Sequence, residues 1–509
     1  MVFYSTRGGT HSVPSARAIA QGLAPDGGLY TPASFVPLTD ELLTELAGLD
    51  YAGRAARILG LYLTDFTSEE LLSYTKTAYS PEKFTHPAGY DPSAPAVDGV
   101  AVRTLSDKEH ILELFWGPTA AFKDMALQML PHLLTASLRK LGEERTACIL
   151  VATSGDTGKA ALEGFRDVPG TRIAVFYPVD GVSDVQRRQM VTQEGDNVGV
   201  CAVYGNFDDA QTGVKQVFSD EAIRSTLDNH GCFFSSANSI NFGRLAPQIV
   251  YYVSAYLDLV KAGAVRMGEP INVCVPTGNF GNILGAYFAK RMGLPIKRLI
   301  CASNANDVLT EFLNTGVYDR RRTFHKTLSP SMDILISSNV ERLLYYLSNG
   351  DTAVVAENMR KLSQDGVYAL EGEILARLKG DFAAYCCDDT LTRETIRTVF
   401  EESRYLTDPH TAVAIHASRQ YRCQTGDETP VLIASTASAF KFCSGVLDAL
   451  TGTPAADDFE AIETLAAVSG QPAPASLTGL RGKAVRFDGA VEKQTLGKTA
   501  CRLLGIDLD

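Results

Sequence analysis

The stretch ACILVATSGDTGKAALEGF, residues 147–165, contains the pattern that decides the fold. An apolar run is followed by the polar turn TSGDTG and then by a segment whose apolar residues recur at helical spacing. The same order recurs in RIAVFYPV, residues 172–179, before DVQRRQMVTQEG, residues 184–195, and in INVCVP, residues 271–276, before ILGAYFAKRMG, residues 283–293. Repeated strand, turn and helix units predict an α/β fold whose parallel sheets are covered by helices on both faces.

The chain before this region has a different pattern. From Ala16 to Tyr79, apolar residues recur at three- and four-residue spacing, which predicts a mainly helical unit. The Pro- and Gly-rich stretch SPEKFTHPAGYDPSAPAVDG, residues 80–99, is typical of a linker or a long surface loop. We therefore predict a mainly helical N-terminal domain over residues 1–95. An α/β region with two subdomains and a C-terminal extension is predicted over residues 96–509.

Composition narrows the classes of partner. The chain has 509 residues, 45% of them hydrophobic, and a formal net charge of -12, which disfavours binding to nucleic acid or anionic lipid. Its ten cysteines form no CxxC pair, its histidines form no metal-binding pattern, and no apolar leader is visible, so we expect no metal and a cytoplasmic location. The longest apolar stretch, residues 249–260, is too short for a membrane span and predicts a buried helix.

In such sheets, ligands bind beyond the carboxyl ends of the strands, so the turns at those ends are candidate sites. In the turn TSGDTG, Thr153, Ser154, Asp156 and Thr157 place hydroxyls, a carboxylate and free amides at a helix start. Hydroxyl and amide donors at a helix N-terminus suit a carboxylate or phosphate ligand. Ordinary N-capping would explain one of these residues, but hardly all of them.

The turn PTGNFGN follows the strand INVCVP and precedes a helix that starts near Ile283. Its two glycines would let the backbone curl so that successive amides converge on a phosphate, helped by the partial positive charge of the helix start. The candidate phosphate-binding residues are Gly278, Asn279, Phe280, Gly281 and Asn282. An isolated turn of this kind is also compatible with a purely structural strand-to-helix connection.

Lys123 lies in WGPTAAFKDMALQML, just before an apolar helical run. A lysine chosen blind is usually solvated, but Phe122, Met125, Ala126 and Met129 surround this one with apolar groups. Desolvation favours the neutral amine, which is the form that Schiff-base chemistry with an aldehyde requires. The pattern therefore makes Lys123 a candidate for covalent catalysis.

The strand-like segment VLIASTASAFKF ends with the hydroxyl residues Ser435, Thr436 and Ser438. Uncharged hydroxyls at this point could donate a hydrogen bond to a ligand ring nitrogen, or could merely satisfy local backbone groups. The sequence leaves both interpretations open. For His410, in DPHTAVA, the sequence favours a capping or loop role over a role in the site.

Taken together, these segments resemble the threonine synthase family of the longer fungal and bacterial type, within the tryptophan-synthase-β-like class of pyridoxal-phosphate enzymes. The resemblance covers nearly the whole chain and implies a fold type II enzyme with two parallel-sheet α/β subdomains. The matching segments are QGLAPDGGLYTP at Gln21, GPTAAFKDMALQ at Gly117, TSGDTG at Thr153, NSINFGRLAPQIVYY at Asn238, PTGNFGN at Pro276, LTEFLNTGVYDR at Leu309, LSPSMDI at Leu328, DPHTAV at Asp408 and STASAFKF at Ser435.

The resemblance implies a role for each candidate residue. Lys123 would hold pyridoxal 5'-phosphate, the loop 278–282 would bind its phosphate, and Thr436 would face its pyridine nitrogen. The TSGDTG turn would bind a substrate carboxylate. A substrate phosphate would be received by Asn238, Ser239 and Arg244. The implied reaction is that of a carbon–oxygen lyase, which converts O-phospho-L-homoserine and water to L-threonine and phosphate in the last step of threonine biosynthesis.

Two departures and two alternatives qualify the resemblance. Many family members have a TAHPAKF-like segment where this chain has Ser438 and Ala439 in place of histidine and proline. The wider class often carries asparagine where this chain has Asp156, and an aspartate near the cofactor phenolate would have to be protonated or paired with a cation. The alternatives are a phospho-lyase that releases a 2-oxo acid and a catalytically silent binding protein of the same fold. Either a monomer or a homodimer is compatible with the sequence.

Overall fold

The computed structural model describes residues 1–9, 11–86, 100–179 and 181–506. The boundary between residues 95 and 96, and most of the Pro- and Gly-rich stretch that contains it, lie outside the described residues. The division into domains 1–95 and 96–509 therefore stays a prediction.

The N-terminal part combines a small antiparallel sheet with helices. Strand β1 lies at the centre of the sheet and pairs with β2 and β3 on either side. The helices confirm the helical pattern seen between Ala16 and Tyr79, whereas the short strands were not predicted. The elements are β1 (Val2–Ser5), β2 (Val13–Pro14), α1 (Ser15–Gln21), β3 (Tyr30–Pro32), α2 (Asp40–Ala47), α3 (Tyr51–Tyr62) and α4 (Ser68–Ala78).

Beyond residue 100, strands and helices alternate along most of the chain. In order they are β4 (Ala101–Ser106), β5 (Glu109–Glu113), α5 (Lys123–Leu127), α6 (Leu130–Lys140), β6 (Thr146–Ala152), α7 (Asp156–Phe165), β7 (Thr171–Pro178), α8 (Asp184–Val191), β8 (Val198–Val203), α9 (Phe207–Ser219), α10 (Glu221–Asn229), β9 (Cys232–Ser235), α11 (Phe242–Lys261), β10 (Ile271–Pro276), α12 (Gly281–Arg291), β11 (Ile296–Ser303), α13 (Val308–Thr315), β12 (Val317–Asp319), α14 (Val340–Leu347), α15 (Thr352–Gln364), β13 (Val367–Ala369), α16 (Gly372–Asp381), β14 (Phe382–Cys386), α17 (Asp389–Ser403), α18 (Pro409–Thr425), β15 (Val431–Ser435), α19 (Cys443–Thr451), α20 (Asp458–Ser469), α21 (Ala475–Thr478), β16 (Ala490–Val491) and α22 (Leu496–Leu503). Short 3₁₀ helices cover Pro330–Met332, Ala439–Phe442 and Lys493–Thr495.

These strands form two separate, mainly parallel sheets. The larger has the order β14-β11-β10-β15-β5-β4, in which only the edge strand β4 of the described strands runs antiparallel to its neighbour. The smaller has the order β16-β8-β7-β6-β9 and is parallel throughout its described pairings. Strand β15 comes late in the sequence and is inserted between β10 and β5. The predicted fold class, with two parallel-sheet α/β subdomains, is confirmed.

One continuous core joins the N-terminal helices to the α/β region. Helix α11 is buried along most of its length, which confirms the buried helix predicted for residues 249–260. Its Asp258 accepts a hydrogen bond at 2.7 Å from Arg54 of α3, so the two parts are also joined by an ion pair. Within the described ranges, no helix has both the length and the apolar character that crossing a bilayer would require.

Candidate active site

The segment that carries Lys123 is fixed to the end of the central strand β15. The backbone N–H of Phe122 donates to the carbonyl of Thr436 at 2.8 Å, and Ala121 forms a β-bridge with Ala437. Lys123 begins helix α5 directly after this anchor. The structure therefore places two of the predicted cofactor residues, Lys123 and Thr436, on neighbouring segments beyond the carboxyl end of β15.

The amine of Lys123 is buried among polar partners. Its side chain is 11% exposed, and its Nζ lies 3.3 Å from Asp156 Oδ2 and 3.3 Å from Ser331 Oγ. Burial lowers the pKa of this amine below its usual value of 10.5, and the nearby cations Lys441 and Arg244 lower it further, whereas Asp156 opposes the shift. The desolvated amine expected from the apolar flanking residues is thus present in the structure.

The carboxylate of Asp156 accepts hydrogen bonds on both of its oxygens. Oδ1 accepts from Lys441 Nζ at 2.9 Å and from Gln186 Nε2 at 2.9 Å. Oδ2 accepts from Ser331 Oγ at 3.1 Å and from Lys123 at 3.3 Å. Burial alone would raise the pKa of Asp156, but the two lysines hold that pKa well below its usual value. The carboxylate is therefore ionised and paired with cations. Pairing with a cation is one of the two states expected for an aspartate that replaces asparagine near the cofactor.

The TSGDTG turn is shaped from within by Thr153. Its Oγ1 accepts from the backbone N–H of Gly155 at 3.0 Å and of Gly158 at 2.9 Å, which is the capping role that the sequence left open. Gly155 has a φ of 134°, a conformation that favours glycine. Ser154 and Thr157 are half-buried. Their substrate-binding role stays a prediction.

The PTGNFGN loop curls differently from the sequence expectation. The left-handed residue is Phe280, with a φ of 61°, and neither Gly278 nor Gly281 has a positive φ. Close packing explains Gly278 instead, because a Cβ there would lie 2.6 Å from the carbonyl oxygen of Ser331. A Cβ on Gly281, the first residue of α12, would meet nothing closer than Gln248 at 3.4 Å. A Cβ at Gly281 would therefore be in ordinary contact, so close packing does not by itself explain this glycine.

Two asparagines of this loop are held by neighbouring side chains. The carbonyl of Asn279 accepts from Asn339 Nδ2 at 3.0 Å. The Oδ1 of Asn282 accepts from the hydroxyls of Tyr251, at 2.7 Å, and Tyr252. The Nδ2 of Asn282 is buried without a hydrogen-bond partner among the described residues. Since an unpaired buried donor is costly, this atom is a candidate donor to a bound ligand.

Arg244 is a second buried donor without a full set of acceptors. It lies in the first turn of α11 and is 4% exposed, and its Nη1 donates to the carbonyl of Ala237 at 2.8 Å. Its Nε has no partner among the described residues, and burial lowers its pKa to about 10. On the loop before α11, Asn238 is exposed and Ser239 is half-buried. A buried guanidinium of this kind suits an anionic ligand.

Sequence reasoning missed two residues of this site and gave only part of the role of a third. Lys441 and Ser331 lie in the quoted segments STASAFKF and LSPSMDI, yet no role was predicted for either. His410 lies in the first turn of α18, where its Nδ1 is 2.8 Å from Oδ1 of the helix cap Asp408, but its Nε2 also accepts the backbone N–H of Ser331 at 3.2 Å. A lysine flanked by apolar residues, the signal used for Lys123, would also have found Lys441, which lies between Phe440 and Phe442.

The two other hydroxyl residues near the end of β15, Ser435 and Ser438, contact different parts of the protein. Ser435 Oγ lies 3.0 Å from Thr411 Oγ1 and 3.4 Å from the hydroxyl of Tyr405, so this residue satisfies groups of the protein. Ser438 lines a small cavity of about 20 Å³ together with Trp116 and Tyr405. Ser438, which departs from the family pattern, is therefore one of the residues that border this cavity.

A larger cavity lies away from the predicted site residues. A volume of about 750 Å³ lies beside the amino ends of β11 and β14, where Arg298, Tyr385 and Tyr421 are among the lining residues. None of the predicted site residues is part of this lining. The chemistry-bearing groups are instead gathered at the carboxyl ends of the strands, as expected for this class of sheet.

The donor set fits pyridoxal 5'-phosphate. The aldehyde requires a desolvated amine, which Lys123 provides. The phosphate requires a helix start and free donors, which the first turn of α12 and the unpaired Nδ2 of Asn282 provide. The ring nitrogen would find a hydroxyl at Thr436, which directly follows β15.

Comparisons with known proteins agree with this site. The family model described as threonine synthase N terminus matches residues 2–79, and the model described as pyridoxal-phosphate dependent enzyme matches residues 112–437. Human threonine synthase-like 1 is 41% identical over 446 residues, which are 86% of this chain and 58% of that protein. The chain thus spans less than two thirds of the length of that relative. Threonine synthase of Pseudomonas aeruginosa is 38% identical over 453 residues, which are 88% of this chain and 90% of that enzyme.

Solved structures extend the similarity to the whole chain. The PLP-bound threonine synthase from Brucella melitensis has a TM-score of 0.85 and 34% identity, with 99% of each chain covered. The yeast enzyme has a TM-score of 0.85 and 32% identity, also with 99% of each chain covered. Family models, relatives and structures therefore agree, and the chain belongs to the threonine synthase family of fold type II pyridoxal-phosphate-dependent enzymes.

Proposed function

We propose that this protein converts O-phospho-L-homoserine and water to L-threonine and phosphate. The observation that carries the proposal is a desolvated amine, Lys123, that lies in the electrostatic field of a buried guanidinium, Arg244, with an unpaired Nε. A reactive amine is needed for the amino-acid end of the substrate. A cationic receiver is needed for the phosphate at its other end. The family resemblance implies these same roles for Lys123 and Arg244.

In this proposal, Lys123 holds the cofactor covalently, the loop Gly278–Asn282 binds its phosphate, and the Thr436 hydroxyl faces its ring nitrogen. When bound, pyridoxal phosphate supplies an electron sink for bonds broken at the substrate Cα. The protein's task is to orient those bonds and to move the protons. Burial lowers the pKa of the Lys123 amine, which keeps the amine available for both covalent attachment and proton transfer.

The substrate would be fixed at both ends. Backbone amides and the hydroxyls of Ser154 and Thr157, in the turn shaped by Thr153, would receive its carboxylate. Asp156 has the wrong charge for that contact, and its oxygens are occupied by Lys123, Lys441, Gln186 and Ser331. We therefore assign Asp156 to the reactive amine.

Arg244, with Asn238 and Ser239 on the preceding loop, would receive the substrate phosphate. A guanidinium keeps its charge and donates through a fork that matches a phosphate, which makes arginine suited to a dianionic leaving group. Because burial lowers the pKa of Arg244 only to about 10, the side chain stays charged at neutral pH.

The proton transfers follow from these positions. With pyridoxal phosphate bound, the amine of Lys123 would be the base that removes the Cα proton of the substrate, and a Cβ proton would be lost next. The Cγ–O bond then breaks, and phosphate leaves toward Arg244. Protonation at Cγ, addition of a water hydroxyl at Cβ and return of a proton to Cα give threonine, so that one water is consumed for each phosphate released.

The test is to identify the products formed by purified, cofactor-loaded protein from O-phospho-L-homoserine. We expect L-threonine and phosphate in equal amounts, with little 2-oxobutanoate, as measured by amino-acid chromatography, a phosphate assay and a keto-acid assay. If 2-oxobutanoate predominates, the protein is a phospho-lyase. If neither product forms although the cofactor is bound, the substrate assignment is wrong.

The proposal places the reaction in the cytoplasm. All ten cysteines are free thiols, and only Cys386 and Cys423 are exposed. Free thiols of this number are typical of a reducing compartment. The alternative of a monomer or a homodimer stays open as predicted from the sequence.

A further inference from the structure

Lys441 is a completely buried lysine within the site. It lies in the short 3₁₀ helix Ala439–Phe442 after β15, with an exposed fraction of 0%. Its Nζ donates to the carbonyl of Thr119 at 2.9 Å and to Asp156 Oδ1 at 2.9 Å. Lysines are almost never fully buried unless they are paired, because removing an ammonium from water is costly. The position therefore calls for an explanation beyond packing.

The pairing gives Asp156 a separate cation on each side. Lys441 and Gln186 contact Oδ1, whereas Lys123 and Ser331 contact Oδ2. If Lys441 were absent, the buried carboxylate of Asp156 would depend on the proton of Lys123 for its compensation. Lys123 could then lose that proton only by leaving a buried charge unpaired, which is strongly unfavourable.

We propose that Lys441 is a positioning residue that acts as the permanent counter-ion of Asp156 and so leaves the amine of Lys123 free to lose its proton and react. The inference rests on the proposed role of Lys123 as the reactive amine. It assigns no direct contact between Lys441 and the substrate. Lys441 acts by compensating the carboxylate of Asp156, which is held between the two amines, and its own positive charge adds to the effect on Lys123.

The electrostatics of the surrounding elements agree with this arrangement. Lys441 lowers the pKa of both Lys123 and Asp156. The other groups that bear on the pair are Arg244 from α11, which lowers the pKa of Lys123, and His410 from α18, which lowers that of Asp156. On α5, burial raises the pKa of Asp124 to about 6, and Lys441 opposes that rise. These three groups stay in place in the variants below.

The test is a charge-compensation cycle with Lys441→Met, Asp156→Asn and the double variant. In each cofactor-free protein, the pH dependence of Lys123 acetylation by acetic anhydride is measured by peptide mass spectrometry. Lys441→Met should raise the midpoint for Lys123 by about 1 pH unit or more, since a cation is lost while the carboxylate stays. Asp156→Asn should lower the midpoint. The double variant, which has no net charge at the two positions, should return close to the wild-type midpoint.

Lys159→Met is the matched control. Lys159 is also buried and lies on the same helix as Asp156, but it pairs with Glu163 at 2.9 Å. Its replacement should leave the midpoint of Lys123 unchanged. If Lys441→Met does not fold, Asp156→Asn and the double variant still test the inference, because their midpoints must differ in the expected direction.

The inference is overturned if Lys441→Met leaves the midpoint unmoved, or if the double variant keeps the full shift of Lys441→Met. A merely structural role would lower stability without shifts of opposite sign that cancel. The outcome is separate from that of the proposed function. If the midpoints shift as expected but wild-type protein forms no threonine, the assigned reaction fails while the role of Lys441 stands.

Discussion

At the scale of single residues, the chemistry depends on an amine that is held at the start of a short helix. Lys123→Ala should give a folded protein that binds the cofactor without a covalent link and has almost no turnover, because the anchor and the proposed base are both lost. Borohydride reduction of the loaded wild type, followed by peptide mapping, should label Lys123. A label on a different lysine would refute the assignment.

The two glycines of the phosphate loop should respond differently to substitution. Gly278→Ala places a methyl group 2.6 Å from the backbone oxygen of Ser331, so the contact between Ser331 and Lys123 should be disturbed and turnover should fall. The Cβ of Gly281→Val would lie in ordinary contact with Gln248, at 3.4 Å, and the side chain should weaken cofactor affinity about tenfold or more, because it enters the space where the amides would approach phosphate.

Thermal unfolding, cofactor titration and turnover of both variants check this pair. Unchanged affinity in folded Gly281→Val would mean that the phosphate binds elsewhere.

The sequence predicts part of the chemistry at this scale and misses part of it. The burial of Lys123 could be predicted because its apolar neighbours are adjacent in the chain. The pairing of Asp156 with Lys441 could not be predicted, because the two residues are distant in sequence and meet only when both sheets have formed. The left-handed conformation of Phe280 was missed for a different reason, because glycine is the residue that usually adopts it.

At the scale of elements, the start of α14 connects the loops that precede α11 and α12. Asn339, the helix cap, donates through Nδ2 to the carbonyl of Ser239 at 3.2 Å and to that of Asn279 at 3.0 Å. Its Oδ1 accepts from the buried Arg342, whose other donors reach the carbonyls of Tyr30 and Ile240. One helix start thus fixes the proposed substrate-phosphate loop relative to the proposed cofactor-phosphate loop.

Asn339→Ala should therefore weaken both phosphate sites. The variant removes the side-chain hydrogen bonds to the carbonyls of Ser239 and Asn279 and leaves a donor of the buried Arg342 unpaired, so we expect a loss of about 1–3 kcal/mol in the free energy of unfolding. We also expect a lower affinity for the cofactor and a higher KM for the substrate. Ser338→Ala is the control, because Ser338 contacts the side chain of Asn279 at an exposed position. Equal effects of the two substitutions on cofactor titration and KM would contradict the role of Asn339.

Elements differ in how well local sequence predicts them. The alternating strands and helices beyond residue 100 could be predicted because their apolar periodicity is local. The short strands β1 and β3 could not, because they are stabilised by pairing between Val2–Ser5 and Tyr30–Pro32, and neither segment has a distinctive pattern of its own.

At the scale of the whole molecule, the N-terminal helices are packed onto the α/β region through several contacts. The ring of Tyr74 on α4 stacks on His132 of α6 with centroids 5.8 Å apart. Lys140 at the end of α6 pairs with Glu70 of α4 at 2.8 Å. Burial lowers the pKa of His132 to about 4, and the nearby Lys83 contributes in the same direction. His132 is therefore uncharged in the folded protein at neutral pH.

This burial predicts a pH dependence of stability. Because the unfolded chain binds a proton at His132 near pH 6.5 and the folded protein only near pH 4, the contribution is complete above pH 6.5 and is lost as the pH falls. When the pH falls from 7 to 5, protonation of His132 in the unfolded chain should lower the free energy of unfolding by about 2 kcal/mol. His132→Phe keeps a ring against Tyr74 and should lose less stability over this interval. Urea unfolding of both proteins at both pH values measures the difference, and equal losses would exclude His132 as the cause.

The position of β15 has a consequence for the order in which the protein is made. The ribosome delivers β5 and β10 long before β15, yet the latter must lie between them in the finished sheet. Until residues 431–441 emerge, the larger sheet has a gap at its centre, and neither the anchor of the Lys123 segment nor Lys441 is present. In a nascent or prematurely ended chain, the Lys123 segment would thus lack its anchor and Asp156 its counter-ion, and we expect cofactor chemistry to begin only when synthesis is nearly finished.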